Sequence, residues 1–115
     1  MKIRIGEKGE LIEEPKIKST SRIDLVAVSN NGFTRGYEVK VDFNSVQNSI
    51  SSNQLSSYVN SGYFDEVYLV VPENICKRVV ASYGQHLSSN DIGLLCVSMA
   101  PPKIGMVIKP SSLVN

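Results

Sequence analysis

Apolar and polar positions along the chain follow two periods, one of strands and one of helices. Arg22 to Ser29, RIDLVAVS, is rich in β-branched residues and reads as a strand. The NNG that follows is a strong turn signal, because Asn and Gly tolerate positive φ. TRGYEVKV reads as the returning strand, with Tyr37, Val39, Val41 and Phe43 on one face and Glu38, Lys40 and Asp42 on the other. Val46, Ile50, Leu55, Tyr58 and Val59 then recur at roughly helical spacing, and Gly62 is placed to cap that helix. Its Ser and Asn content gives weak helix propensity, so Ser51 or Ser52 is a candidate start. Glu66 to Pro72, EVYLVVP, is a short, nearly continuous apolar run. It predicts a strand buried on both faces, paired in parallel and flanked by helices. NICKRVVASYGQHL predicts a second helix, with Ile75, Val79, Val80 and Tyr83 on one stripe and Asn74 as a candidate cap. IGLLCVSM is another buried strand, APP ends it because proline cannot donate to a ladder, and KIGMVIKP is a last strand at an edge. Upstream, KIRI alternates like a short strand, GEKG reads as a turn, and LIEEP as a returning strand.

A hairpin followed by an αβαβ unit makes an α/β layered domain built on a mixed β-sheet flanked by helices. The 115 residues form a single domain, and 42% hydrophobic residues suffice for one core. A net charge of +1 excludes a dedicated nucleic-acid coat but leaves room for an enzyme whose acidic ligands offset local Lys and Arg. Cys76 and Cys96 lack metal-ligand spacing and His86 is the sole histidine, which argues against zinc. Both cysteines sit in apolar contexts and are expected to be buried free thiols. No apolar run approaches the ~20 residues of a membrane span, so a cytoplasmic protein without a membrane partner is expected. A domain this small also leaves a homodimer open.

The hairpin carries the candidate chemistry. A three- or five-residue loop centred on Asn31 places Asp24 opposite Glu38, with Cβ atoms about 5 Å apart. A two-residue Asn-Gly loop instead puts Asp24 on the other face from Glu38. Two carboxylates that close repel unless a cation lies between them, and Mg²⁺ or Mn²⁺ suits such oxygen donors. Lys40, one pleat on, shares the face of Glu38 and can stabilise charge on a phosphate.

Ile23-Asp24 followed by Glu38-Val39-Lys40 resembles the signature of the PD-(D/E)XK nuclease superfamily. NQLSSYVNSGYFDEVYLVVP resembles small stand-alone bacterial and phage members of DNA-repair type, in which a helix bearing a Gln and then a Tyr leads into such a strand. Gln54 and Tyr58 match those positions, and NDIGLLCVS resembles the later strand. The resemblance spans Arg22 to Met99 and implies a restriction-endonuclease-like fold that hydrolyses DNA. It also implies an ion on Asp24 and Glu38, with Lys40 and Gln54 assisting. Many members add an acidic residue on an N-terminal helix. Here that region reads as strands, and Glu10, Glu13 and Glu14 are the acids on offer.

Each of these residues has a plainer reading. Glu38 and Lys40 suit the polar face of a strand, Gln54 a helix surface, Tyr58 a core aromatic, and Lys77 and Arg78 a solvated helix face. Lys16, Lys18, Arg22, Arg35 and Tyr58 form the candidate DNA-binding set, the cations as a backbone track. Two alternatives stand beside the nuclease. One is a catalytically inactive nucleic-acid-binding or assembly module of the same fold. The other is a dimeric Holliday-junction resolvase, to which an exposed patch of Met99, Met106 and Ile108 would point.

Overall fold

The computed structural model describes residues 9–12, 16–17, 21–99 and 101–110. Strand β1 is Gly9–Ile12, β2 Lys16–Ile17, β3 Ser21–Arg22, β4 Leu25–Ser29 and β5 Thr34–Val39. Helices α1 Phe43–Ser51 and α2 Gln54–Asn60 follow, then β6 Glu66–Pro72, α3 Glu73–Ser89, β7 Ile92–Met99 and β8 Pro102–Ile108. KIRI, Glu13, Glu14 and Lys18 lie outside the described residues. Of LIEEP, Leu11 and Ile12 fall in β1, which also takes in Gly9 from the expected turn.

The longer of the two hairpin turns is adopted. The Ser29 N–H donates to the Phe33 carbonyl (2.9 Å) and the Gly32 N–H to the Ser29 carbonyl (2.9 Å). Gly32 takes the left-handed conformation, φ +87°, that this three-residue loop requires. The Asn31 side chain braces the loop by accepting from the Phe33 N–H (3.1 Å) and the Ser29 hydroxyl. Register follows from the turn: Leu25 pairs with Tyr37, Val26 with Gly36 and Ala27 with Arg35.

The main sheet is mixed, in the order β1-β4-β5-β6-β7-β8. Strands β5, β6 and β7 are parallel, and the β1–β4, β4–β5 and β7–β8 pairs are antiparallel. The EVYLVVP strand is found as expected, between two parallel neighbours. The helices, however, pack on one face. There Val46, Leu55, Tyr58, Val79 and Leu87 close over Val26, Val67, Leu69, Val71, Ile92 and Leu94. On the other face Leu25, Tyr37 and Tyr68 form a second cluster, with the Tyr37 and Tyr68 rings stacked at 5.3 Å. Among the described residues no helix covers that face.

Several local expectations are corrected. Strand β5 ends at Val39, so Asp42 and Phe43 are not strand residues. Asp42 caps α1, accepting the Ser45 N–H at 2.8 Å, which holds its carboxyl below the usual range. Phe43 packs between the Tyr83 ring and the Arg78 guanidinium, and Val41 is 70% exposed. A side-chain cap two residues before Asn44 outweighs weak propensity, so the helix starts earlier than Ser51. It then breaks at Asn53, a left-handed residue with φ +60° that opens α2. Gly62 follows α2 with φ +81°, as a C-terminal cap requires. Helix α3 begins directly after Pro72, which leaves Asn74 inside it, and Val80 lies at the exposed edge of its stripe.

Cys76 and Cys96 are joined as a disulfide, correcting the expectation of free thiols. The register sets Cys96 beside Val71, near the strand end from which α3 departs, so the first turn of α3 brings Cys76 within 6.0 Å between Cα atoms.

Candidate functional site

The hairpin register carries β4 towards Glu38 just as β4 veers away. Asp24 sits at that bend, and its Oδ2 accepts the Val39 N–H at 2.9 Å. The Asp24 carboxylate therefore replaces a backbone acceptor that β4 no longer supplies. Beyond it the Lys40 N–H donates to the Val70 carbonyl (2.9 Å), so the parallel pairing with β6 continues to the site.

Glu38 is buried, at 3% exposure, on the helix-covered face next to Leu69. Its Oε2 pairs with the Lys40 ammonium at 3.2 Å. Its Oε1 is buried and has no hydrogen-bond partner among the described residues. Burial first, and then the neighbouring Asp24 charge, raise the Glu38 pKa from 4.5 to about 7, against the opposing pull of Lys40. Tyr58 lies over this carboxylate, fully buried, and receives a hydrogen bond from Gln54 Nε2 at 3.1 Å. Burial and the Glu38 charge raise the Tyr58 pKa. Asp24, Glu38, Lys40, Gln54 and Tyr58 thus gather at one end of the sheet, under α2.

An open cleft of about 650 Å³ lies against the group. Lys40 and Gln54 line it together with Ser and Asn side chains of α1, α2 and the elbow between them. Among the described residues no three acidic, His or Cys side chains converge, and Asp24 and Glu38 are the two carboxylates at this point.

One member of the candidate DNA-binding set, Tyr58, is corrected, and another, Arg35, lies away from Lys40. Tyr58 has no exposed surface, so its ring cannot stack on a base. Arg35 sits on the opposite face, at the far end of β5, about 16 Å from Lys40 by strand rise. There it pairs with the buried Glu66 (Nε to Oε1, 3.1 Å), which also accepts the Tyr68 hydroxyl at 2.9 Å, and it stacks over Phe33. Lys16 and Arg22 fall in the paired β2 and β3, and their side chains lie outside the described residues. Glu10 lies in β1 opposite Val28, its side chain likewise not described.

Sequence reading missed Asn48 and Asn53, two cleft residues. The signal was the polarity of a helix whose Ser and Asn outnumber what capping needs. Met99 and Met106 are exposed as expected of a patch, but Ile108 packs on the core, and Ile104 and Val107 take its place.

No helix among the described residues is long and apolar enough to cross a membrane. No family profile and no curated protein sequence matches the chain. A solved structure of a protein of unknown function from Silicibacter pomeroyi is similar in fold, with a TM-score of 0.64 at 14% identity over 91% of this chain. The chain spans 62% of that protein's length, and the likeness is one of α/β fold.

Proposed function

We propose that this chain is a metal-dependent nuclease of PD-(D/E)XK type, with a restriction-endonuclease-like arrangement of its α/β sheet, that hydrolyses DNA phosphodiesters. The observation that carries this reading is Glu38 Oε1, a buried acceptor with no partner among the described residues, beside a second carboxylate and a lysine. Leaving such an acceptor bare costs about 1–3 kcal/mol, and a cation would satisfy it while relieving the repulsion from Asp24. Two carboxylates fit Mg²⁺ or Mn²⁺, since Mg²⁺ commonly takes one or two from the protein and completes its shell with water and substrate phosphate. Bound there, the ion would lower the pKa of a coordinated water and stabilise charge on a phosphate oxygen.

The chain's own groups have distinct tasks. Asp24 is oriented by the Val39 N–H through Oδ2, and Oδ1 is the oxygen it can offer a ligand. Lys40 is partly exposed and opens onto the cleft, so it can exchange Glu38 for an incoming phosphate. Gln54 holds the Tyr58 hydroxyl and is a positioning residue. One observation favours the non-catalytic module instead. Lys40 and Glu38 already neutralise each other, which a purely structural polar pair would also do. The exposed β8 edge, with Ile104 and Met106, supports the dimeric resolvase as a variant of the enzyme reading.

Labelled duplex, single-stranded, flapped and junction DNA incubated with Mg²⁺ or Mn²⁺ test the proposal. Lys40→Ala should slow cleavage ~100-fold, as loss of one transition-state donor does, and should change affinity by only about one phosphate contact. Wild-type protein that binds DNA yet cleaves none of these substrates would leave the module as the better account.

A further inference from the structure

The left-handed residue Asn53 splits what the sequence reads as one helix into two. The split opens the cleft, whose wall is made of Ser45, Asn48, Ser52, Asn53 and Ser57, with Lys40 beside Glu38. Among the described residues the lining holds a single cation, no anion and no large apolar side chain. Several hydroxyls are already occupied: Ser52 donates to the Ser49 carbonyl and Ser57 to that of Gln54. The side-chain amides of Asn48 and Asn53, by contrast, make no hydrogen bond among the described residues, although both residues are exposed. Each carries two N–H donors and one acceptor.

We infer that this cleft is the seat of a single-stranded nucleic acid, whose sugar-phosphate backbone runs along the Asn48–Asn53 wall and reaches Lys40. The inference rests on the nuclease reading for the identity of the reacting group at Lys40. Its substrate class comes from the cleft. Amide N–H groups donate to phosphate and sugar oxygens without sequence preference, as backbone-positioning contacts do. A volume of about 650 Å³ suits groups of nucleotide size, since ligand-holding clefts run to ~300–1,000 Å³. A single strand is flexible enough to follow the elbow between α1 and α2, whereas a duplex is stiff over so short a length. Duplex binders also recruit many cations, because most of their affinity comes from counterion release. Among the described residues one lysine lines the cleft against six neutral Ser and Asn side chains, so neutral donors carry much of the affinity and its dependence on salt is shallow.

The test reads binding without cleavage. Fluorescence anisotropy is measured in EDTA with labelled oligothymidylate, oligouridylate and a duplex of the same length. The single strands should bind more tightly than the duplex, and the two single-stranded probes separate a DNA from an RNA ligand. Asn48→Asp keeps the side-chain shape and sets a negative charge against the phosphate. Asn53→Gly removes the amide and retains the left-handed backbone. Each should weaken single-strand binding about tenfold, the scale of a hydrogen bond to a charged group. Ser82→Asp, on the exposed face of α3, changes net charge equally with Asn48→Asp and should leave binding unaltered. Preference for the duplex, no single-strand binding by the wild type, or cleft variants that bind like wild type would each overturn the inference. Cleavage in Mg²⁺, assayed separately, distinguishes the two readings. Strand binding that needs Asn48 and Asn53 without any cleavage would sink the nuclease and keep the cleft. Cleavage that survives both cleft variants with unchanged binding would do the reverse.

Discussion

Between about pH 4 and about pH 8 the stability difference between Glu38→Gln and wild type should move in the variant's favour by about 2–3 kcal/mol. Glu38 is an acid whose charged form is disfavoured by burial and by Asp24, which moves its pKa from 4.5 to about 7. Between those two values the folded protein holds a proton that the unfolded chain has released. Stability therefore falls as pH rises through that window, and below it both states are protonated and the penalty is absent. A shift of this size corresponds to about 3 kcal/mol against the ionised form. About 2–3 kcal/mol is therefore the effect to expect. Urea denaturation of wild type and Glu38→Gln across this range isolates the term, because every other titrating group is common to both. Only the change of the difference with pH matters. The constant part includes loss of the Lys40 partner and the fit of the new amide. Mg²⁺ added at about pH 8 should shrink the difference, since an ion on the ionised carboxylate stabilises the folded wild type. A difference that stays flat from acid to alkaline pH would show that Glu38 ionises freely and that the unpartnered oxygen is not under electrostatic pressure.

Mg²⁺ or Mn²⁺ should raise the melting temperature of wild type and not that of Asp24→Asn, whose amide oxygen can still accept the Val39 N–H; equal shifts in a thermal scan would place the ion elsewhere. Reduction of the Cys76–Cys96 disulfide, which spans 20 residues, should lower the unfolding free energy by about 3 kcal/mol in denaturant titrations with and without reductant, and superimposable curves would count against the bond. Gly36→Val should destabilise by about 1–3 kcal/mol in the same titration, because even a Cβ there would lie 2.5 Å from the Ile23 side chain; an unchanged midpoint would mean that Ile23 and Phe64 repack freely.

The two strands of the hairpin and the EVYLVVP strand were legible because their information is local. Period-two alternation, β-branched residues and Asn-Gly punctuation act over a few residues. The same local reading offered two registers for the hairpin, and only one could bring Asp24 and Glu38 together. The choice fell to the three-residue loop, with Gly32 left-handed and Asn31 bracing it. Helix starts were less legible. Asp42 belonged by alternation to a strand, yet β5 stops at Val39 and frees Asp42 to cap α1. Where a strand stops depends on its neighbours, and β4 departs at Asp24.

The candidate site divides along the same line. By itself the sequence determined which residue types stand one pleat apart on β5, and so that Glu38 and Lys40 share a face, because side chains alternate with period two whatever surrounds them. It also determined that Gln54 and Tyr58 lie one helical turn apart. Only the tertiary structure decided which of these groups meet. Packing α2 on the sheet sealed Tyr58 over Glu38 and removed its ring from any base, and the parallel register with β6 held Arg35 to Glu66 on the far face. Burial then raised the Glu38 pKa and left one of its oxygens without a hydrogen-bond partner among the described residues. Desolvation of a charge is set by everything packed around it, from segments distant in sequence, and no local pattern of residues can encode it.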